Sequence, residues 1–233
     1  MTPEIATPSR WTDQPAYLRW CQRPLGRAFV HSVRRRLAPW LGAARGRVVD
    51  IGCGPALNYL DLIPAACEVV AVDCSASMAL WARRRMEEIR PAGRVLVGSI
   101  EQLPLQSGCA DLVLCMNCLE FVADRARALR ELHRVSAPGA SAVLGVMNRA
   151  GFWETSRRWR RPLSRAPYYR GRFLSVEELT EAAAQAGWRA LASEHAVGFP
   201  PLPLPSPGCY EWLERRLPPR RGGVALLLAQ RPD

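Results

Sequence analysis

The 233-residue chain is 48% hydrophobic and 23% charged, the balance of a globular protein and not of a disordered one. Its formal net charge of +11 is carried by arginine alone, because all 32 basic residues are Arg and none is Lys. Arginine suits acidic partners through its planar fork, but abundant Arg, Ala and Pro without Lys is also what GC-rich coding produces, so charge does not by itself establish nucleic-acid binding.

The opening residues, MTPEIATPSRWTDQP, lack the apolar core of a leader peptide. No run reaches the roughly 20 apolar residues of a membrane span. A cytoplasmic location is therefore expected, with the eight cysteines reduced. Residues 16 to 41 read as helix broken at Pro24, and Leu25, Phe29, Val33 and Leu37 share one face of the second piece. The triple arginine 34 to 36 falls mostly off that face and reads as solvated surface.

Strands and helices then alternate. RVVDIG (47 to 52) reads as a buried strand, PALNYLDLI (55 to 63) as a short helix and EVVAVD (68 to 73) as a second strand. SASMALWARRRMEEIR (75 to 90) is an amphipathic helix with Ser75 as N-cap. RVLVGS (94 to 99) and ADLVLCMN (110 to 117) are the third and fourth strands. The fourth strand leads into Cys115-Met-Asn-Cys118, the one C-x-x-C; it has no second pair and no adjacent His, so no metal site is expected. DRARALRELHRVS (124 to 136) is a helix ending before Pro138-Gly139, and SAVLGVMN (141 to 148) is the fifth strand. This order predicts a parallel sheet covered by helices on both faces.

The pattern changes at 149 to 173, which is rich in Arg and aromatics and lacks periodicity. A capped helix (176 to 188), a strand (189 to 197), a proline-rich crossover (199 to 208), a short helix (CYEWLERRL) and a last strand (223 to 230) follow. The expected architecture is a single α/β domain with a seven-stranded, mostly parallel, doubly wound sheet and an antiparallel last strand. It divides into an N-terminal helical cover (1–44), a cofactor core (45–148), a lid insert (149–174) and the C-terminal part of the sheet (175–233).

VVDIGCGPALNYLDL (48 to 62) carries the chemistry. A strand, a glycine turn and a helix form a ligand site beyond the carboxyl ends of an open parallel sheet. A dinucleotide fold needs G-x-G-x-x-G, but here the register gives Gly52, Gly54 and Leu57. Asp50 would also set a negative charge near a diphosphate. Both features favour a ligand with a positive or neutral group at the turn. Asp73, ending the second strand, can accept hydrogen bonds from two ribose hydroxyls. A nucleoside carrying an ammonium group, such as S-adenosylmethionine, fits that description.

The chain resembles class I S-adenosylmethionine-dependent methyltransferases, of the type 11-like group that includes small-molecule enzymes of quinone and related pathways. The resemblance rests on VVDIGCGPA, with Ala56 at the third glycine position, on VVAVDCSASMALWARRR, and on VGSIEQLPLQSGCADLVLCMNCLEFV, where Ser99 replaces a common Asp. AYLRWCQRPLGRAFV is similar to a Tyr-x-x-Trp element that covers the cofactor in some members. The resemblance spans about residues 16 to 148. It implies that Asp50 orients the methionine ammonium, that Gly52, Cys53 and Gly54 line the methionine chain, and that Asp73 holds the ribose. It sets Cys74 and Met78 against the adenine, Ser99 and Ile100 at its edge, and Met116 or Asn117 toward the reacting centre.

The acceptor is read from the N-terminal helices and the insert. The insert places Phe152, Trp153, Trp159, Tyr168 and Tyr169 beside Arg157, Arg158, Arg160, Arg161, Arg165, Arg170 and Arg172. An aromatic wall with a cationic rim would suit an acidic, aromatic or carrier-bound small molecule; water-facing arginines on an ordinary cover would look the same. Tyr17, His31 and Tyr168 are candidate hydrogen-bonding groups, while His133 and His195 are assigned no role. Two other functions stay open: RNA methylation through the Arg-rich surface, against which stand the lack of an added RNA-binding domain and of a Pro-Cys or Asn-Pro-Pro-Tyr motif, and cofactor binding without catalysis as a partner protein.

Overall fold

Alternate residues of each central strand enter two separate apolar layers. Val48, Val69, Ala71, Leu112, Leu114 and Val143 belong to one; Val49, Ile51, Val70, Val72, Val113 and Leu144 belong to the other. This two-faced burial is what a sheet sandwiched between helices requires. The structure, a computed structural model, describes residues 14–55, 57–160 and 167–233.

The strands are β1 (Arg47–Ile51), β2 (Glu68–Asp73), β3 (Arg94–Val97), β4 (Ala110–Met116), β5 (Ser136–Met147), β6 (Arg189–Ala196) and β7 (Val224–Gln230). They lie in the order β3-β2-β1-β4-β5-β7-β6. The pairs from β3 through β5 are parallel, and β7 runs antiparallel to both neighbours. The chain winds outward from β1 through β2 to β3, then returns to place β4 on the other side of β1. The carboxyl ends of β1 and β4 therefore flank the switch point where such sheets bind ligands.

The helices are α1 (Gln14–Gln22), α2 (Pro24–Gly42), α3 (Ala76–Ile89), α4 (Arg125–Val135), α5 (Phe152–Arg160), α6 (Val176–Gln185) and α7 (Pro207–Arg216). Helices α2, α3 and α7 cover one face through Phe29, Val33, Leu37, Ala82, Met86 and Tyr210. On the other face α4 and α6 contribute Leu129, Leu132, Val176 and Leu179. The caps are chemical stop signs: Ser75 Oγ accepts from Met78 N at 3.3 Å, Asp124 Oδ1 from Arg127 N at 2.9 Å, and Ser175 and Glu178 form a capping box.

Five expectations need correction. Residues 55 to 63 are not a helix: Leu57 has φ +47, and only Leu60–Leu62 makes a 3-10 turn. Arg34 takes one carbonyl that a helix would use, Asn58 O at 2.6 Å, and Arg90 holds the end of the segment at Leu60, Ile63 and Pro64 O. Pro64 also pushes Ile63 to an extended conformation. The fifth strand starts at Ser136, not 141, with exposed Pro138 accommodated where the β4–β5 register slips. The insert holds the regular helix α5, and the helix expected over 176 to 188 stops at Gln185 before Gly187 at φ +95. The triple arginine ties α2 to the rest of the molecule through Arg34–Asp61 (2.6 Å), Arg35–Glu214 (2.6 Å) and Arg36–Glu194 (3.2 Å).

Candidate functional site

A cavity of about 880 Å³ opens at the carboxyl ends of β1, β2 and β4 and is roofed by α1, α2 and α5. Its size is near the top of the roughly 300–1,000 Å³ range that holds one drug-sized ligand, so it has space for a nucleoside cofactor and a small acceptor. No helix among the described residues is long and apolar enough to cross a membrane. Among the described residues no group of three or more His, Cys, Asp or Glu is arranged to hold a metal ion.

Two buried acids form one wall. Asp50 is 5% exposed, and among the described residues nothing donates a hydrogen bond to its carboxylate. Burial, then the charge of Asp73, pushes its carboxyl up to about 7. Asp73 is buried too, and desolvation raises it, but it is anchored: Oδ2 accepts from Gly54 N at 2.9 Å and Oδ1 from Ser75 N at 2.8 Å. Each oxygen keeps lone pairs for a further donor.

The glycine turn is shaped by two different needs. Gly52 has φ +70, and a Cβ there would meet Cys118 Sγ at 2.5 Å. Gly54 has φ +59, and a Cβ there would meet nothing within 4 Å, because it faces the cavity. Across from it, Asn117 follows β4 at φ +52, a left-handed conformation that asparagine adopts more readily than most residues with a side chain.

The opposite wall is aromatic. Phe29 lies edge-on to Trp20 at 5.4 Å and to Trp153 at 5.1 Å, and Trp153 Nε1 donates to Phe199 O at 2.9 Å. Tyr17, from α1, accepts from Asn58 Nδ2 at 3.2 Å. Tyr168, whose phenol burial pushes up, stands 5.5 Å from Phe173. Arg157 is the one cation among the described lining residues, and each of its three nitrogens makes a hydrogen bond within the protein. It pairs with Glu154 at 2.5 and 2.8 Å, donates to Tyr169 O at 2.7 Å and stacks 4.4 Å from the Phe173 ring centre. Burial pushes the Glu154 carboxyl up, but its pairs with Arg157 and Arg158 outweigh that and hold it low.

Asp50, Gly52, Cys53, Gly54, Asp73, Cys74, Met78, Ser99, Ile100, Met116 and Asn117 all line this cavity, as do Tyr17 and Tyr168. His31 does not; it is exposed on α2. Ala56, Arg161 and Arg165 lie outside the described residues. Sequence reasoning missed Glu120, a 1% exposed carboxyl in the lining. Its one signal is an acid inside the otherwise apolar run Cys118-Leu-Glu-Phe-Val122.

Residues 49–144, which contain the glycine turn, both acids and β4, match the family described as methyltransferase domain. The chain thus carries a methyltransferase domain and is similar to S-adenosylmethionine-dependent methyltransferases. Among its relatives are a 37.1 kDa protein of transposon TN4556 from Streptomyces fradiae, 40% identical over 42% of this chain, and the malonyl-[acyl-carrier protein] O-methyltransferase of Pectobacterium atrosepticum, 33% identical over 49%. The matches cover 29% and 44% of those two proteins, so the chain spans less than half the length of these curated relatives. A crystal structure of a methyltransferase from Thermotoga maritima shares the fold over 95% of this chain and 97% of that one, with TM-score 0.73 and 24% identity.

The lining of the cavity suits S-adenosylmethionine, the cofactor of such methyltransferases. An unpartnered buried carboxyl at Asp50 asks for a cationic donor, Asp73 presents a fixed second acceptor, and the open face of Gly54 leaves room between them.

Proposed function

We propose that the chain transfers a methyl group from S-adenosylmethionine to a small-molecule acceptor held under the α1, α2 and α5 roof. The observation that carries this reading is the single cavity in which two buried carboxylates face an aromatic wall. The cofactor supplies a methyl group on a positively charged sulfur, with a good leaving group built in. In this reading Asp50 holds the ammonium and Asp73 the ribose hydroxyls, while Gly52, Cys53 and Gly54 border the amino-acid end. Met78, Cys74, Ser99 and Ile100 border the base, and the backbone at Met116 and Asn117 faces the reacting centre. The aromatic wall orients the acceptor and excludes water. Such alignment is worth about 7–11 kcal/mol of barrier, so no metal or covalent intermediate is called for.

Chain segments take the roles their positions suggest: cover (1–44), cofactor core (45–148), lid (149–174) and sheet completion (175–233). The lining supports an aromatic acceptor, free or carrier-bound, better than an acidic one, because Arg157 already serves Glu154 and Tyr169 O. Arg172 Nη2 likewise caps Val122 O and Ala123 O. Calorimetry with S-adenosylhomocysteine, followed by turnover with radiolabelled cofactor on an acceptor panel, tests the proposal. Saturable uptake and label transfer are expected; no uptake at millimolar cofactor would overturn it, and uptake without transfer would mark a binding protein.

A further inference from the structure

Glu120 stands in the acceptor half of the cavity, and no role found so far uses all of it. It follows β4 in a single 3-10 turn, Leu119–Phe121. Its Oε1 accepts from Met147 N at 2.9 Å and so pins the end of β5 beside the end of β4. Its Oε2 is buried and has no partner. A glutamine could serve Met147 equally well without burying a charge. An unsatisfied buried acceptor costs about 1–3 kcal/mol, and more if charged, so a merely structural role leaves the second oxygen unexplained.

The surroundings offer Glu120 no ion pair. Arg125 on α4 and Arg172 are the nearby cations. Arg125 acts on it only through space, and Arg172 turns its guanidinium to Val122 O and Ala123 O while its backbone N–H donates to Glu120 O at 2.8 Å. The other titratable groups close to it are Cys118, raised by its hydrogen bond with Cys115 and by burial, and Tyr168, raised by burial. Burial moves the Glu120 carboxyl up to about 7. Either protonation state presents an acceptor oxygen, and the ionised one binds a donor more strongly.

We propose that the Glu120 carboxyl, turned toward the cavity by the incoming acceptor, offers Oε2 as the anchor for an O–H or N–H group on it, which makes the acceptor half of the cavity selective for a protic group and against a carboxylate. An incoming carboxylate would meet a buried acid, and the one cation among the described lining residues, Arg157, is already paired with Glu154. A hydroxyl or amine supplies the donor that Oε2 lacks. The inference rests on the methyl-transfer reading and narrows it: this chain would differ in acceptor chemistry from the malonyl-[acyl-carrier protein] relatives, whose names describe an O-methyl transfer to a malonyl group.

The test uses the full chain saturated with S-adenosylhomocysteine and three small probes, phenol, anisole and benzoate, titrated at millimolar levels above neutral pH by ligand-observed NMR. Phenol is expected to bind about fivefold or more tightly than anisole, the difference one charged hydrogen bond can make, with benzoate weakest. Glu120→Gln is expected to erase the preference for phenol and to improve benzoate, while the affinity for S-adenosylhomocysteine stays unchanged. A loss of structure alone would weaken every probe and could not strengthen benzoate. If the variant does not fold, the wild-type order decides: equal binding of phenol and anisole, strongest binding by benzoate, or no binding of any probe overturns the inference. Failure to take up S-adenosylhomocysteine would instead remove the methyl-transfer reading on which it rests.

Discussion

The amide of Gly54 donates to Asp73 Oδ2 at 2.9 Å, so the turn after β1 and the acid ending β2 are one unit. The other oxygen, Oδ1, holds Ser75 N at the mouth of α3. Asp73 is thus poised before any ligand arrives, and its removal should cost both order and affinity. Asp73→Ala is expected to raise the dissociation constant of S-adenosylhomocysteine at least about tenfold, the worth of one charge-assisted hydrogen bond. Asp73→Asn should restore part of it, because an amide oxygen can still accept from one of the two amides. Calorimetry on the three proteins checks the order; equal affinities would remove Asp73 from the cofactor site.

Asp50 and Glu120 give the cofactor-free protein an unusual pH response. Both carboxyls are raised to about 7 in the fold, well above their unfolded values. A raised carboxyl favours the folded state below its unfolded pKa, and that contribution is lost as pH rises through the folded value. Stability should therefore fall between about pH 4 and pH 7, by on the order of 4 kcal/mol at most for Asp50. Asp50→Asn should be more stable than wild type above neutrality and bind cofactor poorly. A cationic ligand would displace the Asp50 proton, so calorimetry near pH 7 in buffers of differing ionisation enthalpy should register proton release. Melting curves that stay flat across neutrality would contradict the burial of these two acids.

How far the sequence speaks for itself depends on where the deciding partner lies. The first three strands were legible because each is a short apolar run closed by an acid or a glycine, and Asp50 and Asp73 stand out as acids near those ends. The helix expected over 55 to 63 failed because Leu57 turns to φ +47 and Arg34, from outside the segment, takes the carbonyl of Asn58. Glu120 was invisible for the same reason: the amide that captures it belongs to Met147, 27 residues away. Helix α5 lacks an apolar period because part of its inner face is an ion pair, Glu154 with Arg157, packed on Phe173. His31 shows the converse error, since nearness in sequence to a lining helix put it on the wrong side of that helix.

The two glycines of the turn should respond differently to the same change. Gly52→Ala forces a side chain into φ +70 and against Cys118 Sγ, 2.5 Å away. It is expected to destabilise the protein by about 1–3 kcal/mol, seen as a melting temperature lower by roughly 2–4 °C per kcal/mol. Gly54→Ala at φ +59 meets open space and should cost only about 1 kcal/mol. Its methyl group enters the cavity, so its larger effect should be on S-adenosylhomocysteine affinity. Equal effects on melting and binding in both variants would mean that the turn is not in contact with the ligand.

Trp153 joins the lid to the sheet and should couple stability to acceptor binding. Its ring packs against Phe29 and sits over Gly223, where a Cβ would approach Trp153 Cδ1 to 2.4 Å. Its indole N–H closes the bond to Phe199 O. Trp153→Ala removes a 5% exposed ring and should cost about 3–5 kcal/mol. Trp153→Phe keeps most of the packing but orphans the Phe199 carbonyl, a loss of about 1–3 kcal/mol. Cofactor affinity should survive Trp153→Phe, because Asp50 and Asp73 line the far wall, while turnover on any accepted aromatic substrate should fall through a higher KM. Urea melts and product assays on the phenylalanine variant separate these outcomes, and a loss of cofactor binding without loss of stability would place Trp153 on the cofactor side of the cavity instead.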